Sequence, residues 1–494
     1  MSDESASLPE DNVPPATAGA DVGGGAEVAG RQPGLLLACC CFFGVLLIIA
    51  VGLFGFGVDL RVLMFLCLLY AGVLARWLGY GYGQLREFMG DAIGRALQAI
   101  YIFILIGMVI ASFMQSGTIA ALMYYGLGWL SPAWFLPLGL VLCALMSVAT
   151  GTSWGTVGTL GVVFVGMGMA MQIHPPLVAG MVVCGATFGD KMSPVSDTTN
   201  LAAMSAETNL YRHIYAMLFT TLPTFLLVLV LFFVLGLSYS AASLPQAELD
   251  IIRTALAENY DLQPVVTLLP LLLMLALSLR RVAAELTMAA GILLAVAVAV
   301  LWQGHGAVEV LNALWANSPG DTEVESLDEL LGRGGISSMS GTLLLAIMAL
   351  ALGGILHRAG FLKVLLAGII ERVRGTAALL ATTMGSGLIG NLAMGEAYIS
   401  ILLNCQLFRQ KYQQQGLDKA MLSRSVEEGS TLTTSLIPWT TAGAFYAATL
   451  GVPVLDYLPY AFFNYLNGPL AVAMTLLGFG VLRQKASGED EITS

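Results

Sequence analysis

The chain has 494 residues, of which 57% are apolar and only 11% are charged, against roughly 25% charged in an average soluble domain. Mean hydropathy is +0.81. A soluble fold turns much of its chain to water, so this composition excludes an ordinary soluble enzyme, a nucleic-acid binder and a disordered scaffold. The net charge of −11 sits largely in an N-terminal tail, two extramembrane loops and the last residues, and no basic patch suits nucleic acid. The apolar runs are continuous and long enough for helices to cross a hydrocarbon core about 30 Å thick. A β-barrel would alternate apolar and polar residues instead. The expected class is an all-α polytopic membrane protein. Its seven cysteines all lie in apolar runs, which argues against a disulfide framework and a thiolate metal site.

Residues 1–33 are rich in Ala, Gly, Pro, Asp and Glu and read as a disordered tail. "LLAC" (Leu36 to Cys39) resembles a lipoprotein cleavage box, but the apolar run lies mostly after Cys39, so it reads as part of a first span. Spans follow at 34–57, 59–82 and 97–117, with a short interfacial segment at 119–130. The apolar stretch 132–170 is broken by "TGTSWGT" (Thr150 to Thr156), and 176–210 by "GDKMSPVSDTTN" (Gly189 to Asn200). A clean span at 213–240 leads to a polar connector, 241–263. Spans resume at 264–281, 284–303 and 339–359, with an acidic loop at 304–338. Two more broken stretches run 375–411, interrupted at Gly390 to Ala397, and 420–451, interrupted at Gly429 to Gly443. A last span occupies 457–482, and 483–494 reads as a second tail.

The order of clean and broken spans repeats at an offset of about 242 residues. Thr198 and Thr199 then fall on Thr440 and Thr441, and Glu396 falls on Trp154. The expected architecture is an inverted repeat of two halves, 34–240 and 264–482. Each has about five transmembrane helices plus one re-entrant hairpin, with unwound helices at the centre. With both termini in the cytoplasm, nearly every Arg and Lys falls inside and only Arg61, Arg253 and Arg333 fall outside. Inverted repeats with broken helices are the architecture of secondary transporters, with the binding site at the repeat interface.

Unpaired backbone at membrane depth costs several kcal/mol per group and persists only where it is buried in protein or lines a polar cavity. Four breaks therefore point to one central site suited to a small cation. The first-half segment sets Asp190, Lys191, Ser193, Asp197, Thr198, Thr199 and Asn200 in an apolar span, and their hard oxygen donors match Na+. A carboxylate can exchange its ion for a proton, and intramembrane ionisable groups are functional by default. The bland reading of Asp190 is a salt bridge with Lys191 that only holds the bend. The facing segment offers Thr433, Thr434, Thr440 and Thr441, which also suit helix–helix contact. The hairpin tips supply Thr152 and Ser153 in one half, Asn391 and Glu396 in the other. Glu427 and Glu428 read as a solvated cap, and Glu207 as an access path or a surface group. No His pair has metal spacing. No P-loop, nucleophile elbow or HExxH occurs, so neither a nucleotide-driven pump nor an enzyme is expected.

"FGDKMSPVSDTTNLA" (Phe188 to Ala202), "YRHIYAMLFTTLP" (Tyr211 to Pro223) and "SRSVEEGSTLTTSLIPWTTAGAFYAATLGV" (Ser423 to Val452) resemble the Na+/H+ antiporter family of the NhaC type, in the ion-transporter superfamily. The likeness covers roughly residues 35–482. It departs at Thr441, where many members have Asn before "AG". The resemblance implies exchange of Na+ or Li+ for H+ across a bacterial inner membrane. It implies Asp190, Ser193, Asp197, Thr198, Thr199 and Asn200 as the cation site, with Na+ at Asp197, Thr198 and Asn200. It also implies elevator-like movement, a homodimer, and no cofactor beyond the transported ions. The alternative is a Na+- or H+-coupled exchanger of small carboxylates such as malate and lactate. A passive channel is disfavoured by the paired broken helices.

Overall fold

The structure is a computed structural model. It describes residues 31–484 except 130–131, 242–245, 281, 319, 321, 323, 325–326, 329–330 and 371–372. Most of both expected tails therefore lies outside the described residues. The described chain is helical, with one isolated bridge between Leu417 and Arg483. Eight of its helices are long and apolar enough to cross a membrane.

The first half contains α1 (Leu35–Ala50), α2 (Leu60–Trp77), α3 (Tyr82–Arg95), α4 (Leu97–Gln115), α5 (Thr118–Trp129), α6 (Pro132–Thr150), α7 (Ser153–Thr156), α8 (Val162–Ala170), α9 (Pro175–Met192), α10 (Asp197–Ser205) and α11 (Leu210–Ala241). A π-helical turn joins α7 to α8. The connector forms α12 (Gln246–Asn259). Then come α13 (Pro264–Thr267), α14 (Leu269–Leu279), α15 (Ala284–Leu301), α16 (Ala307–Ala313), α17 (Ile336–Arg358), α18 (Phe361–Ile370), α19 (Thr376–Met394), α20 (Ala397–Gln414), α21 (Lys419–Thr434), α22 (Thr441–Leu450), α23 (Val454–Tyr457) and α24 (Phe462–Leu476).

These helices carry large apolar side chains outward. On α11, Leu222, Leu226, Leu227, Val230 and Val234 are exposed while Val228 and Phe232 are buried. In water such a surface would aggregate; against lipid tails it is the stable one. The expected interfacial segment is instead α5, whose Ile119, Ala120, Ala121 and Met123 are buried. Two helices fall in stretches the hydropathy left blank, α3 and α18. Amphipathic α3 buries Leu85, Phe88 and Ala92, while Glu87 and Asp91 face Arg358 of α17 at 4.0 and 3.7 Å.

The spans around the breaks pack through glycine. A Cβ on Gly185 or Gly189 of α9 would stand 2.5 Å from the Leu140 carbonyl oxygen or 2.2 Å from that of Ala144, both on α6. Ser147 Oγ of α6 uses the close approach to donate to the Ala186 carbonyl at 2.7 Å. In the second half Gly387 of α19 and Gly429 of α21 allow the same intimacy. Without a hydrophobic drive between helices in lipid, small residues at the interface are what permit tight packing. Gly189→Ala should therefore force α6 and α9 apart and lower stability by about 1–3 kcal/mol, read as a fall in Tm of the purified protein in detergent.

Candidate functional site

Each break is narrower than its polar segment, because the polar residues partly remain helical. The chain leaves α6 at Gly151 and α19 at Gly395, both left-handed with φ of 73° and 67°. A Cβ is strained there, which explains the glycines. The next residue in each case is extended and caps a new helix: Thr152 (φ −146°, ψ 121°) accepts from Gly155 N–H, and Glu396 (φ −147°, ψ 130°) from Tyr398 N–H. Ser196 and Thr440 likewise cap α10 and α22, accepting from Thr199 and Gly443 N–H. In local geometry Glu396 thus matches Thr152, and Thr441 matches Asp197. This register lies two residues from the sequence offset, which set Glu396 on Trp154.

The broken backbone is largely satisfied from nearby. Ser193 Oγ donates to Val148 O at 2.7 Å, Thr199 Oγ1 to Asp190 O at 3.2 Å, and Asn200 Nδ2 to Ser196 O at 2.7 Å and Pro194 O at 3.1 Å. In the second half Thr440 Oγ1 donates to Thr434 O at 2.5 Å, and Thr441 N–H donates to Gly395 O at 2.9 Å. Asn391 Nδ2 donates to the Ser430 carbonyl and, at 2.7 Å, to Thr433 Oγ1. So Ser193, Thr199, Asn200, Asn391, Thr433 and Thr440 brace the breaks, and none of them is on the wall of the central cavity.

That cavity has a volume of about 680 Å³. Asp190, Lys191, Asp197, Thr198, Thr152, Ser153, Glu396, Thr434 and Thr441 line it, together with Tyr398 and Tyr446. Of its wall, Arg95, Gln98 and Gln406 are exposed and His357 is half-buried. At the other end Trp154 stacks on Phe445 (centroids 4.4 Å, planes 10° apart), and Phe103 meets both edge-on at 5.8 and 5.7 Å. Beyond this layer a second cavity of about 370 Å³ is lined by Ile110, Arg333 and Thr449. Helix α4 touches the first cavity up to Ile102 and the second at Ile110, about 12 Å further along at 1.5 Å per residue.

Within the site, Lys191 is only 1% exposed. Its Nζ lies 3.3 Å from Asp190 Oδ2 and 2.9 Å from Glu427 Oε1, and donates to Thr198 Oγ1 at 2.7 Å. Ser153 Oγ donates to Asp190 Oδ2 at 2.9 Å, and the buried Asp190 Oδ1 has no partner. Asp197 is exposed to the cavity and accepts from Thr198 N–H at 2.8 Å and from the Tyr398 hydroxyl. Glu396 Oε2 accepts from Thr441 Oγ1 at 2.7 Å, so the two halves of α19–α22 meet at a carboxylate. Asp190, Asp197 and Glu396 thus line a cavity whose deep cation, Lys191, is already shared. The donor set is carboxylate and hydroxyl oxygen, which fits a hard monovalent cation. Among the described residues no cluster of three or more His, Cys, Asp or Glu is arranged to hold a metal ion.

The solvated cap expected of Glu427 and Glu428 is corrected: both are buried, at 0% and 2% exposure, and Glu427 is a partner of Lys191. The signal was present on α21, where Arg424, Glu427, Thr431 and Thr434 recur at helical spacing on one face. Tyr398 and Tyr446 were also missed, as single aromatics in apolar runs. Glu207 takes the surface alternative and pairs with Arg409 and, at 3.2 Å, with Lys419. These neighbouring cations hold its carboxyl below the usual range.

Apolar crossing helices around a charged, half-open central cavity define a multi-pass membrane protein that handles a small polar solute. The chain belongs to the Na+/H+ antiporter family, which it matches over residues 39–199 and 185–479. It is 39% identical to the Na+/H+ antiporter NhaC of Alkalihalophilus pseudofirmus over 89% of this chain and 95% of that one. It is 35% identical to NhaC of Bacillus subtilis, over 88% and 95%. It is also 32% identical to a malate-2H+/Na+-lactate antiporter of Bacillus subtilis, over 84% and 88%.

Removing one member of a buried charge cluster strands the others, at about 3–5 kcal/mol. Lys191→Met should lower the Tm in detergent sharply, and adding Glu427→Gln to it should restore part of the loss.

Proposed function

We propose that the protein exchanges Na+ or Li+ for H+ across a bacterial inner membrane by alternating access. The observation that carries this reading is the cavity wall of Asp190, Asp197 and Glu396 at two helix breaks, α9–α10 and α19–α20, with one shared lysine among them. Na+ and H+ compete for Asp197, with Asp190 and Glu396 assisting and Thr198 in the cation's shell. A carboxylate neutralised by either ion crosses a low-dielectric barrier far more cheaply than the bare charge, so competition alone produces exchange.

The two halves, 34–240 and 264–482, act as inverted repeats. Stretches 132–170 and 375–411 serve as re-entrant hairpins, and 241–263 joins the halves. Matched capping at Thr152 and Glu396, and at Ser196 and Thr440, supports that symmetry. Arg95 and His357 of the cavity wall share an end of the bundle with Arg358, and the positive-inside rule supports that end, with both termini, as the cytoplasmic one. The Trp154–Phe445–Phe103 layer is then the closed outer side of a cytoplasm-facing state. Opening it while closing the exposed end gives the opposite state, by an elevator-like movement in a homodimer.

Small carboxylates are the second reading, favoured by a cavity larger than one cation needs and by the malate–lactate relative. Against it, the deep cation Lys191 is already held by Asp190, Glu427 and Thr198. Proteoliposomes with an internal pH dye, given Na+, Li+, K+, malate and lactate in turn, separate the two. Na+ and Li+ alone should move protons, and Asp197→Asn should fall to the level of empty liposomes. Wild-type exchange by Asp197→Asn would remove Asp197 from its role.

A further inference from the structure

Behind the cavity lies a second buried polar cluster that no step above uses. It joins α11, α21 and α24. Arg424 is 0% exposed; its Nη1 donates to Gly480 O at 2.9 Å and Ala216 O at 3.3 Å, while Nε and Nη2 have no partner. Glu428 Oε1 accepts from the Thr220 hydroxyl, and Oε2 has no partner. Asn467 stands beside Glu428 with both Oδ1 and Nδ2 unpartnered. His213 Nδ1 pairs with Ser423 Oγ at 2.6 Å and leaves Nε2 unpartnered.

Buried polar atoms are rarely left without partners, and here six of them gather in one place. They include donors on Arg424 and acceptors on Glu428 and Asn467. A bound cation would satisfy only the acceptors and would face the Arg424 guanidinium; an anion would satisfy only the donors and face Glu428. Water satisfies both kinds, and a polar site with several convergent partners is where internal water is stable. The cluster reaches toward the surface: Gly480 belongs to the terminal segment, and Arg212 pairs with Asp418 at the start of α21 at 2.9 Å. Glu427 precedes Glu428 on the same helix and points about 100° round it, toward Lys191. Glu427 is not itself on the cavity wall, but two wall residues touch its Oε1, Lys191 at 2.9 Å and Thr431 Oγ1 at 3.4 Å, while its Oε2 is unpartnered.

We propose that Glu428, with the water its unpartnered neighbours hold, is a proton relay from the surface near Asp418 to Glu427, separate from the cavity that admits the cation. The relay rests on the Na+/H+ reading. The groups around Glu428 are Thr220 from α11, Asn467 from α24, Tyr412 from α20, and Arg424 on α21, with Glu427 the preceding residue; His213 is held by Ser423 near Arg424. Protonation of Glu427 frees Lys191 to neutralise Asp190 alone, and its release restores the shared pair.

The test compares two fluxes in the same proteoliposomes: Na+-driven proton movement, and counterflow of radioactive Na+ against Na+, which needs no proton. If the wild type moves no protons with Na+, the Na+/H+ reading fails before the relay is reached. Given wild-type exchange, Glu428→Gln should lose about tenfold or more of the proton-coupled flux while Na+/Na+ counterflow stays at the wild-type rate. Unchanged proton flux, or an equal fall in both fluxes, overturns the relay, the second outcome marking a structural role. If Glu428→Gln does not yield a monodisperse protein, Asn467→Leu decides on the same criteria, since it empties the hydrated cluster and keeps every carboxylate.

Discussion

The centre of the molecule depends on one buried ammonium. Lys191 sits at the last turn of α9, where the chain is about to break, and binds a carboxylate on its own helix, another on α21 and a hydroxyl on α10. An isolated charge at that depth is unaffordable, so each partner exists because the others do. The ion cluster therefore ties the two broken spans together, and losing one partner would strand the others. Glycines at 185, 189, 387 and 429 then let the spans come close enough for the contacts to form.

Much of this was legible in the sequence because lipid is an unforgiving solvent. A run such as Gly185 to Ala202 has no reason to carry Asp190, Lys191 and Asp197 unless those groups meet something, and the break follows from the same polar residues. What the sequence hid was direction. Asn200 and Ser193 have the chemistry of cation ligands, yet in the structure they turn back to hold carbonyls of the kinked chain. Glu427 has the look of a surface cap near the start of a span, yet α21 is surrounded, so its carboxylate faces Lys191. Composition reveals that a polar group needs a partner; only the packed helices reveal which one. Helices α3 and α18 escaped for the opposite reason, since their amphipathic pattern resembles neither a span nor a loop.

The breaks also carry a field of their own. Helices α10 and α20 begin at the cavity, and each starts with a carboxylate: Asp197 in the first turn of α10, Glu396 as the cap of α20. A helix N-terminus carries a partial positive charge of about half an elementary unit, which favours an anionic side chain there. These carboxylates are thus stabilised without a full counter-ion.

Residue pairing across the two halves sharpens this point. Where the break after α6 is capped by a hydroxyl, Thr152, the break after α19 is capped by Glu396; where α10 opens with Asp197, α22 opens with Thr441. Asp197 and Glu396 thus sit on different element types, and Thr441 donates to Glu396 across the gap. Two carboxylates at equivalent positions would repel each other directly. Staggering them gives each a hydroxyl neighbour, Thr441 for Glu396 and Tyr398 for Asp197, and leaves the excess negative charge spread around the cavity. A hydroxyl can turn either its lone pairs or its proton toward a neighbour, so this wall can adapt to a change in the charge of the carboxylates beside it.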